Sequence, residues 1–192
     1  MSSVGIIGGT FDPIHYGHLI TARAVKEIRK LKKIIFVPCY ISPHKKNLVN
    51  ADAVHRLEMI KRAVKGIEGF EVSDFEIKKG GISYTIETLK QFRKEYPRIE
   101  LIIGFDNLVK FESWKDPDEI VKLAQLIVMK RKIDKAPKNT NRFFKLAIMV
   151  DTPLIGINAT DIRERIKEGL PVDFLVPEKV KEYIYAFNLY RE

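Results

Sequence analysis

The sequence contains a single cysteine, Cys39, which excludes an internal disulfide and leaves too few thiols for a structural zinc site. No apolar run approaches the roughly 20 residues that a membrane-spanning helix requires, and the N-terminus lacks the basic region and long apolar stretch of a signal peptide. We therefore expect a cytoplasmic protein with no membrane partner. Internal repeats and low-complexity segments are lacking as well, which argues against a repeat architecture.

What the chain does contain is the composition of an ordinary globular protein, with 45% hydrophobic and 31% charged residues among 192. This length predicts a single domain spanning 1–192. Lysine and arginine number 34 against 25 aspartate and glutamate, and the resulting net charge of +9 favours anionic partners such as nucleotides, nucleic acids or phosphate metabolites. Because the basic residues are spread along the chain, a solvated surface explains the charge equally well.

Patterns typical of buried strands alternate with helical patterns along the whole chain. Strand, helix and strand follow one another within the first 37 residues, which implies a parallel pair with a right-handed crossover. We therefore predict an α/β fold built on a doubly wound parallel sheet, with C-terminal helices from about residue 158 packing on it. The predicted strands cover 4–8, 34–37, 70–75, 100–103, 125–129 and 145–150, and the earlier helices cover the regions after 17, 51–64 and 83–96.

The segment GGTFDPIHYGH, from Gly8 to His18, lies at the first strand-to-helix turn, where parallel sheets bind ligands. Gly8 and Gly9 let backbone N–H groups approach a polyphosphate, and the following helix offers unpaired donors and a favourable dipole. The segment is neither a dinucleotide fingerprint nor a Walker P-loop. Instead, His15 and His18 stand three residues apart, on one side of the helix start, where they can donate hydrogen bonds to phosphate oxygens. That spacing also permits histidines that only cap the helix.

This segment resembles the GxFDxxHxGH signature of the nucleotidylyltransferase superfamily, whose histidine motif is related to that of class I aminoacyl-tRNA synthetases. The resemblance implies a Rossmann-like fold in which His15 and His18 contact ATP phosphates and support in-line attack on the α-phosphate. It also implies that Thr10 binds phosphate and that Phe11 and Asp12 shape the turn. Catalysis would then come from positioning and charge stabilisation, with no covalent intermediate on the protein.

Further segments resemble one branch of that superfamily, the bacterial-type nicotinate-nucleotide adenylyltransferases, and together they span nearly the whole chain. In PCYISPHKK the resemblance implies that Lys45 meets phosphate, as a catalytic residue, and that His44 shapes the loop beside the mononucleotide. A lysine in such a loop is also commonly just solvated. Arg131 follows a strand where the family often has an arginine, but the usual Pro-Gly after it is absent, and its role stays open.

Two segments would select the acceptor. In GISYTIETL the family binds the pyridine-ring carboxylate through backbone amides near Tyr84 and Thr85, and in IGFDNLVKFESWKDPDEI it stacks the pyridine ring on the residue matching Trp114. A plain helix start and a core tryptophan are the alternatives that the residues themselves leave open. The second segment also supplies Gly104 and Asp106 to the implied ATP site.

In GINATDIRERI the family places phosphate contacts, which implies a hydroxyl donor at Thr160 and, at Arg163, a catalytic charge for the β- or γ-phosphate. Asn158 replaces the usual serine and is a favourable N-cap, with Asp161 at a capping-box-like distance. Those features explain a helix without any ligand. The implied ATP-binding set is Gly8, Gly9, Thr10, Phe11, His15, His18, Gly104, Asp106, Asn158, Thr160 and Arg163, and the implied mononucleotide set is Thr10, His44, Lys45, Tyr84, Thr85 and Trp114.

Taken together, the resemblance implies that nicotinate mononucleotide attacks the α-phosphorus of ATP, which gives nicotinate adenine dinucleotide and pyrophosphate in NAD biosynthesis. Mg²⁺ is implied with ATP, held mostly by substrate oxygens and water. Nicotinamide mononucleotide stays open as the acceptor, whereas phosphopantetheine fits poorly because its enzymes are shorter and lack the SYT and tryptophan segments. An RNA-binding or synthetase-like protein is the alternative from another class, but 192 residues leave little room for an anticodon-type domain, so we expect no nucleic-acid partner. A homo-oligomer stays open.

Overall fold

The computed structural model describes residues 3–43, 51–130 and 140–191. Within them, six strands form one sheet, namely β1 (Val4–Gly9), β2 (Lys33–Pro38), β3 (Phe70–Val72), β4 (Ile99–Gly104), β5 (Gln125–Lys130) and β6 (Ile148–Asp151). The strand order is β3-β2-β1-β4-β5-β6, and the pairings of β1 with β4, β4 with β5 and β5 with β6 are parallel. This is the order of a doubly wound, Rossmann-like sheet, so the predicted α/β class is confirmed.

Helices alternate with these strands. They are α1 (Tyr16–Ile28), α2 (Ala53–Val64), α3 (Phe75–Lys79), α4 (Thr85–Phe92), α5 (Phe105–Val109), α6 (Pro117–Leu123), α7 (Ala159–Lys167) and α8 (Glu178–Ala186), with 3-10 turns at Phe111–Ser113 and Arg142–Lys145. Among the described residues, none of the helices has the length and apolar character needed to cross a membrane.

One compact unit comprises Met1–Gly8, Thr21–Ile35 and Tyr84–Leu154. Strands β1, β4 and β5 carry continuous buried runs, as expected where both faces of a parallel sheet are covered, whereas β6, at the end of the strand order, buries only Val150. Glu100 in β4 is 6% exposed, and its carboxylate accepts hydrogen bonds from Arg29 and from the Ser3 hydroxyl, which offset the cost of burying the charge. Because β1 and β4 are parallel neighbours, their carboxyl ends lie at the same edge of the sheet.

The other compact unit comprises Gly9–Ile20, Phe36–Ser83 and Ile155–Glu192. In it, α2 packs against β3 and α8. The amphipathic pattern of the C-terminal helices is visible in their buried residues, which are Ile162 and Ile166 in α7 and Val180, Tyr183 and Ile184 in α8. The expectation of one domain over the whole chain stays a prediction.

Two predicted strand boundaries are wrong. The strand expected over 70–75 ends at Val72, because the Ser73 hydroxyl accepts the N–H of Phe75 and starts the short helix α3 there. The last strand was expected from Lys145 but begins at Ile148, since Lys145 ends a 3-10 turn whose N-cap, Asn141, accepts the N–H of Phe143.

The helix expected over 83–96 is shorter, covering Thr85–Phe92, and its buried residues Ile86, Leu89 and Phe92 are those of the predicted face. Helices α5 and α6 were not predicted, because each is shorter than the window over which helical periodicity can be recognised.

Candidate active site

His15 and His18 lie side by side at the start of α1. Their rings stack with centroids 3.7 Å apart and an interplanar angle of 29°. The backbone N–H of His15 donates to Nδ1 of His18 over 3.3 Å, so with Nδ1 as the acceptor the ring proton lies on Nε2. This tautomer makes Nε2 the donor nitrogen of His18.

The His15 side chain is 5% exposed, and burial lowers the pKa of its imidazole from 6.5 to about 4, so this ring is neutral at pH 7. Its Nδ1 atom is buried with no hydrogen-bond partner within the described residues. Position 17, between the two histidines, has no room for a side chain. A Cβ at Gly17 would lie 2.9 Å from Nδ1 of His15 and 3.2 Å from the carbonyl oxygen of Ile157. Any side chain there would displace the His15 ring or the backbone beside it.

The low pKa of His15 predicts that folding stability depends on pH. Between pH 6.5 and about 4 the unfolded chain binds a proton that the folded protein excludes, so the stability present above pH 6.5 falls as pH is lowered and levels off below 4. The expected loss is about 3 kcal/mol. Denaturant titrations at pH 8, 6, 5 and 4 measure it, with His15→Asn as the comparator. Equal pH dependence in the two proteins would contradict a buried neutral histidine.

Phe11 and Asp12 shape the loop that precedes the histidines. Phe11 adopts a left-handed backbone conformation with φ of 51°, and its buried ring meets His18 edge-on at a centroid distance of 5.1 Å. The Asp12 carboxylate is buried and accepts the N–H of Ala51 over 3.2 Å, while its backbone carbonyl accepts Nη1 of Arg163 over 2.8 Å. The loop therefore orients both a predicted transition-state donor and a predicted phosphate-binding cation.

Asn158 is the N-cap of α7, as its sequence predicted: Oδ1 accepts the N–H of Asp161 over 2.9 Å. Its Nδ2 donates to the Asp161 carboxylate over 2.7 Å, so one of the two amide hydrogens is engaged within the cap. Two residues on, Thr160 is exposed, and its hydroxyl accepts Nη2 of Arg163 over 3.3 Å. These contacts bring the α7 start and the loop after β1 together around Arg163.

Arg56, in α2, is the strongest structural feature of the site that the sequence reasoning missed. The side chain is only 1% exposed, and its guanidinium donates to four backbone carbonyls, those of Ala51 (3.0 Å), Thr10 (2.8 Å), Cys39 (2.7 Å) and Tyr40 (3.1 Å). It thus ties the loop after β1 to the residues that follow β2 and to Ala51, two residues before α2. The sequence did contain one sign that Arg56 is buried: it lies on the apolar face of α2, four residues before Ile60.

Tyr84, Thr85 and Trp114, which are predicted to bind the acceptor, lie in the compact unit that includes Tyr84–Leu154. Tyr84 immediately precedes α4, whose first residue is Thr85, and no side chain caps this helix start. The ammonium of Lys115 lies 4.2 Å from the centroid of the Tyr84 ring and 3.1 Å from the Glu87 carboxylate, so the segment carrying Trp114 comes close to Tyr84. Trp114 is half-buried, with its ring 5.0 Å from that of the fully buried Phe111.

Gly104 and Asp106 stand at the end of β4. Gly104 is the N-cap residue of α5 and is half-buried, and Asp106 is exposed in the first turn of that helix. Gly8 lies at the same edge, at the end of β1. Three candidates, His44, Lys45 and Arg131, lie outside the described residues, and their roles stay predictions.

The cytidylyltransferase-like family model matches residues 6–165. A probable nicotinate-nucleotide adenylyltransferase of Methylacidiphilum infernorum (isolate V4) is 43% identical over 97% of this chain and 91% of its own. That of Clostridium botulinum (strain Alaska E43 / Type E3) is 41% identical over 100% of both chains. The chain belongs to the nicotinate-nucleotide adenylyltransferase family. The family resemblance inferred from the motifs is thereby confirmed.

Solved structures agree on the fold. The nicotinic acid mononucleotide adenylyltransferase of Plasmodium falciparum complexed with NaAD aligns with a TM-score of 0.79 at 19% identity, over 99% of this chain and 98% of that one. The same enzyme complexed with APC aligns with a TM-score of 0.74 over the same shares, also at 19% identity. At these identities the similarity establishes the Rossmann-like fold of the family, and the roles of individual side chains stay predictions.

The unit that contains residues 9–20 and 155–192 brings two imidazoles and a guanidinium together around one loop. His18 donates through Nε2, His15 is held neutral, and Arg163 brings a fixed positive charge. These groups suit a reaction that concentrates negative charge on phosphate oxygens and needs no nucleophile from the protein.

Proposed function

We infer that the protein transfers the adenylyl group of ATP to nicotinate mononucleotide, releasing pyrophosphate and forming nicotinate adenine dinucleotide in NAD biosynthesis. The observation that carries this conclusion is similarity over the full length to relatives named as probable nicotinate-nucleotide adenylyltransferases, at about 40% identity. The stacked His15–His18 pair at the turn after β1 supports the same chemistry.

In the proposed mechanism, a phosphate oxygen of the mononucleotide forms a bond to the α-phosphorus of ATP as the bond to the β-phosphate's bridging oxygen breaks. His18 donates from Nε2 to the α-phosphate oxygens as negative charge builds up there, and Arg163 meets the departing pyrophosphate. His15, neutral because it is buried, adds a dipole without repelling the neighbouring ring. Lys45 completes the proposed catalytic set. Positioning and charge stabilisation supply the rate enhancement.

For the acceptor, we propose that the first N–H groups of α4, beside Tyr84 and Thr85, bind the pyridine carboxylate while Trp114 stacks on the ring. The start of a helix favours an anion, because its first N–H groups are unpaired and point along the helix dipole. The Lys115 ammonium near Tyr84 is paired with Glu87, so it adds no net charge there. The helix start is the physical reason to prefer nicotinate mononucleotide over the uncharged amide of nicotinamide mononucleotide.

Mg²⁺ is proposed to enter with ATP as part of the substrate. Over residues 3–43, 51–130 and 140–191, no three histidine, cysteine, aspartate or glutamate side chains gather into a group that could hold a metal ion. The ion would therefore rest on polyphosphate oxygens and water, as Mg²⁺ commonly does with nucleotides, and would offset their charge.

The decisive experiment measures pyrophosphate release from ATP with nicotinate mononucleotide and, separately, with nicotinamide mononucleotide. We expect kcat/KM for the acid to exceed that for the amide by about 10-fold or more, because one charge-assisted contact is lost with the amide. A strong preference for the amide would overturn the acceptor assignment. No pyrophosphate with either, together with tight, salt-dependent RNA retention on filters, would overturn the enzyme assignment.

Replacing Trp114 by alanine is expected to raise KM for the mononucleotide about 10-fold and leave KM for ATP unchanged, because the proposed stacking contact involves only the acceptor ring. Trp114→Phe keeps a flat aromatic surface and should raise the same KM no more than about 3-fold. Initial rates at saturating levels of the other substrate separate the two constants. An effect confined to ATP would count against the stacking role.

A further inference from the structure

Tyr190, only two residues from the end of the printed sequence, reaches the loop that carries the histidines. Its hydroxyl donates to Oδ1 of Asp12 over 2.7 Å, a contact between residues 178 positions apart. The sequence predicted only that the C-terminal helices pack on the sheet. A hydroxyl aimed at a buried carboxylate is a more specific interaction than packing.

Asp12 depends on such donors because its side chain is only 4% exposed. A buried carboxylate is costly unless its oxygens accept hydrogen bonds, and O–H···O⁻ bonds of this length are among the stronger ones. Oδ1 accepts both the Tyr190 hydroxyl at 2.7 Å and the backbone N–H of Ala51 at 3.2 Å. The hydrogen bond from Tyr190 is thus the shorter of these two contacts.

The backbone of the C-terminal segment is left-handed at two positions around this contact. Asn188 and Tyr190 have φ of 51° and 65°, a conformation that asparagine adopts readily but that is unfavourable for a bulky residue such as Tyr190. Burial and the Asp12 carboxylate together raise the pKa of the Tyr190 hydroxyl well above its ordinary value, so it stays a donor at any pH at which the protein is assayed. The segment tolerates strain that the bond to Asp12 helps to offset.

We propose that Tyr190 is a positioning residue for adenylyl transfer, acting through Asp12 on the loop that orients His18 and Arg163. This inference rests on the proposed function. Two contacts transmit the effect: the Asp12 carbonyl accepts Nη1 of Arg163 over 2.8 Å, and the preceding residue, Phe11, packs its ring edge-on against His18. A shift of Asp12 therefore moves both the cation and the imidazole donor.

The test is Tyr190→Phe, which removes one oxygen atom and keeps the ring. We expect kcat to fall about 10-fold while KM for nicotinate mononucleotide stays within about twofold, because the acceptor residues are untouched. Tyr185→Phe is the matched control: it removes the same atom from the end of α8, where the ring faces Arg191, and should leave kcat unchanged. Thermal unfolding of each variant sets an assay temperature well below every Tm.

A double-mutant cycle with Asp12→Asn shows whether the effect passes through Asp12. If it does, Tyr190→Phe lowers kcat far less in the Asp12→Asn background than in the wild type. The proposal is overturned by an unchanged kcat in Tyr190→Phe, by an equal fall in Tyr185→Phe, or by additive effects in the cycle. Wild-type protein without adenylyltransferase activity would instead refute the proposed function, and the two failures are therefore distinguishable.

Discussion

Replacing His18 by alanine is expected to lower kcat by about 10³-fold, the largest effect of any single substitution that we predict here on activity. The reason is the tautomer: Nδ1 of His18 accepts the backbone N–H of His15, which makes Nε2 the donor. A donor held in place against the α-phosphate stabilises the transition state more than the bound substrate, so the loss falls on kcat more than on KM. Pyrophosphate release at saturating substrates measures it.

Two further substitutions separate the donor from the loop contact. His18→Asn keeps an oxygen that can accept the His15 N–H, but its amide N–H is too short to reach the position of Nε2, whereas His18→Gln places an amide N–H close to that position. If donation matters, the glutamine variant retains about 10-fold more activity than the asparagine variant. Near-normal turnover in His18→Asn or His18→Ala would refute the assignment. Circular dichroism checks that each variant is folded.

Arg56→Leu is expected to cost about 3–5 kcal/mol of folding free energy, the largest effect on stability, because four backbone carbonyls lose their donor at once. For a chain of this size that loss lowers Tm by about 10 °C. Arg56→Lys should recover only part of it, since one ammonium cannot reach carbonyls spread around a planar guanidinium. Denaturant unfolding and thermal melts measure both variants.

Arg62→Leu is the matched control on the same helix. Its side chain is 40% exposed and pairs with Glu58 four residues earlier, so its loss should cost less than about 1 kcal/mol. If Arg56→Leu were no more destabilising than this, the carbonyls of Thr10, Cys39 and Tyr40 would have to be satisfied without the guanidinium. That result would contradict the structural role given to Arg56.

Much of the fold was predictable because the spacing of apolar residues along the chain shows directly which side chains are buried. Strands β1, β2, β4 and β5 each contain a continuous apolar stretch, and α1 buries Leu19, Ala22 and Val25 at helical spacing. Ile28 continues that spacing yet is exposed, because it lies at the very end of α1. The errors fall where the apolar pattern is short or where a side chain accepts a nearby backbone N–H, as at Ser73 and Asn141.

The sequence by itself determined the reaction class, the strand-to-helix turn after β1 and the proximity of His15 to His18, because all three follow from residues that are near neighbours in the chain. Only the tertiary structure decided that His15 is neutral, that Arg56 holds Thr10 and that Tyr190 holds Asp12. Burial and hydrogen bonds between distant residues leave no local signature, since they arise when the chain folds back on itself. The neutral His15 ring is therefore a property of the fold, whereas the spacing of the two histidines is a property of the motif.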